Sequence, residues 1–283
     1  MRFQKWQALG NDYMLIEAES LPFALTPARV RSLCASHTGV GADGIVLICA
    51  PQGREAVARL RVFNPDGSEA EVSGNGAREA VLYLRRQGRA PADTFTVETA
   101  GGDLRPTITS PTTCAVEMGR ARLVSDDFPS GGDDGRGVLA ADNEALSFRH
   151  VQVGNPQCAI PVDDVQMLEA LDLAALGPQI ERHELFPNRT NVSFYTALGA
   201  DRIRARIFER GVGETAASGT GASGAAVAFV LDGGSSPVTV VLDGGELQVT
   251  VSDDLGIALS GWAVPVFDGE LAGELLEDLR ALD

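Results

Sequence analysis

Two similar pentapeptides, Ser73-Gly74-Asn75-Gly76-Ala77 (SGNGA) and Ser218-Gly219-Thr220-Gly221-Ala222 (SGTGA), stand about 145 positions apart in a chain of 283 residues. Each leads into a run rich in Ala, Val and Leu, at residues 77–86 and 222–231. Apolar residues surround most of the circumference of both runs, which is typical of a buried helix. The two stretches therefore predict two buried helices, each entered through a Gly-rich turn.

The pentapeptides are part of a longer internal repeat. Further pairs recur at nearly the same spacing and in the same order: Phe63 with Phe208, Glu69 with Glu214, and Gly10-Asn11 with Gly154-Asn155. Several matches in one order indicate two similar halves related by a pseudo-twofold axis. We expect one half to cover residues 1–118 together with 264–283, and the other to cover residues 119–263.

The rest of the chain reads mainly as short strands. Runs such as 58–63, 202–208 and 246–251 alternate apolar and polar residues, as half-buried strands do. Residues 27–36 predict a helix with Thr26 as its N-cap and Pro27 at its first position. Residues 165–176 predict a further helix. This mixture predicts an α/β protein.

Composition excludes several classes of function. Apolar residues make up 44%, enough for a substantial core, and the formal net charge is -16, which argues against binding nucleic acid or an anionic membrane. The four cysteines form no CxxC pair, so neither a disulfide framework nor a zinc site is expected. The first residues have no signal-peptide pattern and no run is long enough to span a bilayer. We expect a cytoplasmic protein.

Each SGxGA turn has the features of an anion-binding site. A serine at a helix N-terminus lies beside free backbone N–H groups, and flanking glycines let a ligand approach the backbone. One such serine alone is most often only an N-cap. Two copies in matching contexts favour a shared site in which both helix N-termini bind one carboxylate.

Further polar residues stand where predicted strands begin or end. They are Asn11, Asn64, Asn155, Asn191, Glu209 and Arg210. Isolated asparagines are usually turn formers. Grouped at strand ends with an arginine for a carboxylate and a glutamate for an ammonium group, they predict a site for a zwitterion.

Six segments in order resemble the diaminopimelate epimerase family. They are 9–13 (LGNDY), 37–44 (HTGVGADG), 63–78 (FNPDGSEAEVSGNGAR), 154–158 (GNPQC), 187–192 (PNRTNV) and 208–222 (FERGVGETAASGTGA). The resemblance implies two pseudo-symmetric domains, each a curved, mostly antiparallel sheet around a central helix, with a substrate cleft between them. It implies no cofactor, and conversion of LL- to meso-diaminopimelate by two-base proton transfer at the α-carbon, in lysine and peptidoglycan biosynthesis.

The resemblance also implies roles for individual residues. Asn11, Asn64, Asn155, Asn191 and Arg210 match residues that bind the distal end of the substrate, and Glu209 matches one that contacts its amino group. Gly74-Asn75 and Gly219-Thr220 match the turns that bind the carboxylate beside the reacting carbon. Ser73 and Ser218 occupy the positions of the two catalytic cysteines.

The serines depart from the family pattern. A helix N-terminus lowers a thiol pKa from about 8.5, but a serine hydroxyl starts far higher and stays protonated. Gln157 is a second departure, because the family usually has a histidine there and glutamine transfers no proton at neutral pH. A deliberate Cys→Ser exchange would explain the serines but not Gln157, which favours a natural variant.

Three functions stay open on the sequence. They are an active epimerase or racemase, a catalytically impaired amino-acid-binding paralogue, and another proton transfer or elimination on the same scaffold. Pyridoxal phosphate is disfavoured because Lys5, the one lysine, lies in the first predicted strand away from any phosphate loop. The three histidines are isolated, so no metal is expected. The expected ligand is a small amino acid, and a homodimer is a possible assembly.

Overall fold

The computed structural model describes residues 1–71 and 73–282. The α-helices are α1 (Pro27–Cys34), α2 (Gly74–Arg86), α3 (Val165–Ala170), α4 (Leu173–Glu181), α5 (Gly219–Leu231) and α6 (Gly273–Ala281). The strands are β1 (Arg2–Ala8), β2 (Asn11–Glu17), β3 (Ile45–Cys49), β4 (Ala56–Phe63), β5 (Glu69–Ala70), β6 (Thr96–Thr99), β7 (Gly102–Leu104), β8 (Thr107–Ser110), β9 (Thr113–Arg120), β10 (Arg136–Ala141), β11 (Glu144–Val153), β12 (Asn155–Pro161), β13 (Asn191–Gly199), β14 (Arg202–Glu209), β15 (Gly213–Thr215), β16 (Val238–Leu242), β17 (Gly245–Val251), β18 (Gly256–Trp262) and β19 (Val264–Glu270).

The chain divides into two compact units. Unit 1 comprises Met1–Val116 with Gly261–Asp283, and unit 2 comprises Glu117–Ser260. The chain passes from one unit to the other within β9 and returns within β18. The C-terminal segment therefore belongs to unit 1, where Leu271 and Leu279 join the core around Phe3 and Val30.

Unit 1 is built on one sheet with a helix against it. The strand order is β19-β1-β2-β3-β4-β6-β7, with β5 paired to β4. The pairs β2–β3 and β4–β6 are parallel, and the other pairs are antiparallel. Helix α2 packs on β1 to β4 and is buried along most of its length.

Unit 2 repeats this plan. The strands of its sheet run in the order β10-β11-β12-β13-β14-β16-β17-β18, with β15 paired to β14. Here β12–β13 and β14–β16 are the parallel pairs. Helix α5 packs on β11 to β14 and on β16 and β17, and residues 221–228 of it are buried.

The correspondence confirms the internal repeat read from the sequence. The series β1-β2-β3-β4-β5-α2-β6-β7 recurs as β11-β12-β13-β14-β15-α5-β16-β17, with the parallel pairs at matching steps. The two halves are thus pseudo-symmetric, each a mostly antiparallel sheet with a buried helix. Within the described residues, no helix is long and apolar enough to cross a membrane.

The helix predictions hold with two differences. Helix α1 begins at Pro27, and Thr26 caps it by accepting from the N–H of Arg29. Helices α2 and α5 begin three residues earlier than predicted, because their capping serines start the helix at the first glycine. The single helix predicted for 165–176 was wrong. It is two helices, since Leu171 is extended and Asp172 caps α4.

Candidate active site

Unit 1 brings the predicted site residues Asn11, Asn64 and Asn75 to one edge of its sheet. Strands β2 and β3 are parallel and β4 runs against them, with Met14, Ile45 and Phe63 in register. The start of β2 at Asn11 and the residue after β4, Asn64, therefore lie at the same edge. The N-terminus of α2 is there too, since Asn75 Nδ2 donates to Asn11 Oδ1 at 3.2 Å.

Ser73 caps helix α2 at this edge. Its hydroxyl oxygen accepts the backbone N–H of Gly76 at 3.1 Å, and Tyr13 Oη donates to it at 3.1 Å. A Cβ at Gly76 would lie 3.1 Å from the side chain of Val46, which explains the glycine. Asn64 makes its side-chain hydrogen bond within its own turn, to Ser68 Oγ at 3.0 Å. The Ser73 oxygen thus accepts two hydrogen bonds, from Gly76 and Tyr13.

Unit 2 has the same arrangement at its own sheet edge. Strand β12 begins at Asn155, β13 begins at Asn191 and β14 ends at Glu209. Asn191 Oδ1 accepts the backbone N–H of Arg210 at 2.8 Å, and its Nδ2 donates to the carbonyl of Pro156 at 3.2 Å. These bonds connect the beginnings of the parallel strands β12 and β13 to the end of β14.

Ser218 caps helix α5 beside an ionisable group. Its hydroxyl oxygen accepts the N–H of Gly221 at 3.2 Å, where a Cβ would lie 2.8 Å from Ile207 atoms. Burial raises the pKa of the Glu209 carboxyl above its ordinary value, and the neighbouring hydroxyls of Thr215 and Ser218 partly offset that rise. The sequence did not predict that Glu209 contacts Ser218. Their shared segment, 208–222, was the only signal.

The turn that carries Arg210 is held by buried polar contacts. Glu181 Oε1, on a side chain that is 3% exposed, accepts the N–H of Gly211 at 3.1 Å. Arg210 itself is exposed and donates from Nη1 to the carbonyl of Asn188 at 2.7 Å. The guanidinium of Arg210 therefore lies at the surface of unit 2, beside the carbonyl of Asn188.

Gln157 positions Asn155 instead of holding a proton. It is fully buried, and its Nε2 donates to Asn155 Oδ1 at 2.6 Å. Asn155 Nδ2 in turn donates to Thr220 Oγ1 at 3.4 Å. The stem of Gln157 packs on α5 at Gly224, where an added Cβ would lie 2.7 Å from Gln157 Cβ.

This close contact predicts the effect of a mutation. We expect Gly224→Ala to lower the free energy of unfolding by about 1–3 kcal/mol, because overpacking forces strand β12 away from the helix. Chemical denaturation measures the change. Gly273→Ala is the matched control, since a Cβ there meets no atom within 4 Å. Gln157→Gly, which removes the Cβ that the new methyl would meet, should remove most of the penalty in the double mutant. An additive effect would show that the two residues do not clash.

Metal-binding groups and disulfides are absent from the described parts of the chain. No group of three or more His, Cys, Asp or Glu side chains in residues 1–71 and 73–282 is arranged to hold a metal ion. All four cysteines are free, and Cys158, next to Gln157, is fully buried in the core of unit 2 beside Ile160 and Phe194.

Known proteins resemble this chain along nearly its whole length. A diaminopimelate epimerase 2 from a Nostoc species is 39% identical over 280 residues, with 97% of each chain covered. A diaminopimelate epimerase from Desulforudis audaxviator is 40% identical over 280 residues, covering 95% of this chain and 99% of that one.

Solved structures share the fold at lower identity. A phenazine biosynthesis protein of the PhzF family from Bacillus anthracis has a TM-score of 0.68 and 19% identity, covering 96% of this chain and 99% of that one. A hydroxyproline epimerase from Agrobacterium vitis, with bound trans-4-hydroxy-L-proline, has a TM-score of 0.65 and 14% identity, covering 95% and 91%. The family model described as diaminopimelate epimerase matches residues 3–124 and 149–264. On this match and these identities, the chain belongs to the diaminopimelate epimerase family.

Proposed function

We propose that the protein is a cofactor-independent epimerase that binds diaminopimelate and inverts its α-carbon, with Ser73 and Ser218 in the proton-transfer positions. One observation carries the proposal. Two matched helices begin with a capping serine, and a glutamate lies beside one of these serines. The remaining residues proposed to bind substrate lie at the same two sheet edges.

In this proposal unit 2 supplies the base that removes the α-proton. Ser218 is too weak an acid to supply an alkoxide at neutral pH, so its neighbour must take the proton. Glu209 is a carboxylate whose pKa is raised by burial, which makes it a stronger base than an exposed glutamate. The α-proton passes to Glu209 directly or through the Ser218 hydroxyl, which gives up one proton as it gains another.

In this proposal unit 1 supplies the acid that returns a proton to the α-carbon. The Ser73 oxygen accepts from Gly76 and Tyr13, so its own proton is free to point at a ligand. The carbanion takes a proton from Ser73, and the Tyr13 hydroxyl stabilises the charge left on that oxygen. The backbone N–H groups at both helix N-termini bind the carboxylate beside the reacting carbon.

Because a carboxylate is the only base in this proposal, proton exchange should depend on its charge. We expect α-proton exchange of LL-diaminopimelate in D₂O, followed by NMR, to slow as the pH falls through a pKa above the usual glutamate range. Glu209→Gln should lower the rate by about 10²–10⁴-fold and remove this limb of the profile. Glu214→Gln, on β15 and paired with Arg206 instead, is the matched control. Equal rates in Glu209→Gln and wild type would rule out Glu209 as the base.

A second candidate function is amino-acid binding without turnover. The presence of serine at both proton-transfer positions favours it, because a neutral alcohol is a poor base. The same NMR experiment separates the two functions when affinity is measured by calorimetry on the same sample. Binding with no exchange of the α-proton at any pH would replace the epimerase proposal with a binding protein.

The proposal includes a cytoplasmic location and a homodimer. Strand β19 is an edge strand of unit 1, with Val266 53% and Phe267 44% exposed. Exposed apolar side chains on an unpaired edge favour association with another chain. Sedimentation equilibrium tests the dimer, and Phe267→Lys should shift the mass to that of a monomer if this edge forms the contact.

A further inference from the structure

A chain of hydrogen bonds in unit 1 connects a buried cation to an exposed carboxylate through two proposed substrate-binding residues. Arg78 Nη2 donates to Asn75 Oδ1. Asn75 Nδ2 donates to Asn11 Oδ1 at 3.2 Å, and Asn11 Nδ2 donates to Asp43 Oδ2 at 3.0 Å. Asp43 is fixed in turn, because its carboxylate also accepts the backbone N–H of Asp12 at 3.0 Å.

The two ends determine the direction of every bond between them. A guanidinium only donates hydrogen bonds, so the atom of Asn75 that meets Arg78 must be its oxygen. An ionised carboxylate only accepts, so the atom of Asn11 that meets Asp43 must be its nitrogen. Both amides are thereby fixed against rotation. Each has its oxygen occupied and keeps one N–H hydrogen outside the chain.

The cation at the inner end has little compensation. Arg78 is fully buried, and among the described residues no acceptor lies within hydrogen-bond reach of its Nε or Nη1. Its sequence neighbour Glu79 is equally buried, and burial raises the pKa of that carboxyl well above its ordinary value, which weakens it as a counter-ion for Arg78. The positive charge of Arg78 therefore lies next to the Asn75 side chain, near the N-terminus of α2.

The fold itself does not require this arginine. At the equivalent position of the repeat, α5 has Ser223, which bonds to its own helix through the carbonyl of Gly219 at 2.8 Å. The equivalent chain of bonds in unit 2 starts from the neutral Gln157 and ends at Thr220. An unpaired buried charge costs stability, so its presence in only one of two similar halves points to a ligand.

We propose that Arg78 is a positioning residue that turns the N–H edges of Asn75 and Asn11 toward the ligand and makes the unit 1 side of the site specific for a carboxylate. The inference rests on the proposed function, since it assumes that an amino acid binds there. It adds Arg78, a residue that does not touch the substrate. It also places the positive charge of Arg78 next to the unit 1 residues that are proposed to bind the ligand. An ammonium group would meet only donors at these two amides.

The test compares binding with folding stability. Titration calorimetry with LL-diaminopimelate on wild type comes first, and thermal unfolding is recorded for every variant. We expect Arg78→Met to weaken binding by about 10- to 100-fold, the effect of losing one charged hydrogen bond. Its unfolding midpoint should stay equal or rise, because a buried unpaired charge is removed. A residue with only a structural role would not combine weaker binding with unchanged or higher stability.

Two further variants act as controls. Arg78→Lys keeps a donor but not a permanent charge, because burial lowers the pKa of a lysine, and it should bind more tightly than Arg78→Met but more weakly than wild type. Glu79→Gln replaces the neighbouring carboxyl with an uncharged group of the same size and should leave affinity unaltered. If Arg78→Met does not fold, Arg78→Gln, which keeps a donor without the charge, should still bind more weakly than Arg78→Lys.

The outcomes separate this inference from the proposed function. If wild type binds and a folded Arg78→Met or Arg78→Gln binds equally well, Arg78 is not a positioning residue and the proposed function stands. If wild type itself does not bind LL-diaminopimelate, the proposed function fails and this inference fails with it.

Discussion

Replacing both Ser73 and Ser218 with cysteine is expected to raise epimerase activity by about 10²–10⁴-fold, the range that a competent general acid–base pair contributes. Each hydroxyl oxygen accepts an N–H from the first turn of its helix. A thiol at that position loses its proton far more readily than an alcohol, because the helix N-terminus stabilises a thiolate. The readout is inversion of LL-diaminopimelate together with α-proton exchange.

Single replacements provide the control for this prediction. Two-base inversion needs an acid and a base on opposite faces, so Ser73→Cys and Ser218→Cys alone should each recover less than the pair. Gln157→His on top of the double mutant tests whether that site limits the rate. If wild type already turns over as fast as the double mutant, serine is competent here. If every variant binds and none exchanges the proton, the binding-only function is correct.

Replacing Arg210 with alanine is expected to cost about 1.5–3 kcal/mol of substrate-binding free energy, the net contribution of a hydrogen bond to a charged group. In the proposal its guanidinium receives the distal carboxylate, and Asn191 holds its backbone at 2.8 Å. Losing the arginine leaves that carboxylate beside neutral amides. Titration calorimetry with LL-diaminopimelate measures the loss directly.

Arg202→Ala is the matched control for Arg210→Ala. Arg202 lies at the other end of β14 and pairs with Glu246 on the surface of unit 2. Exposed ion pairs contribute little, so this variant should keep the wild-type affinity. Equal affinity in the Arg210→Ala protein would show that the carboxylate binds elsewhere.

Much of the fold was predictable because its signals lie in short stretches of sequence, and each of these stretches occurs in both halves of the chain. The SGxGA turns, the apolar runs after them and the asparagines at strand starts recur in one order, and each half forms the same series of strands around its helix. Local signals failed at 165–176, where the apolar pattern continues through Leu171 although the backbone there is extended. Asp172 caps a second helix there. A single capping residue can therefore start a new helix where the apolar pattern over many residues predicts that one helix continues.

The sequence by itself determined the repeat, the family, the two capping serines and the set of polar residues at the strand ends, because each depends on residues close together in the chain. Only the tertiary structure decided which of these residues touch. It placed Glu209 beside Ser218, Tyr13 against Ser73, and Arg78 at the end of a chain of bonds that runs through Asn75 and Asn11 to Asp43. The partners in these contacts come from different elements. Their meeting depends on strand register and on how each buried helix packs on its sheet, and burial, which changes the pKa of Glu209 and leaves Arg78 unpaired, exists only once the chain has folded.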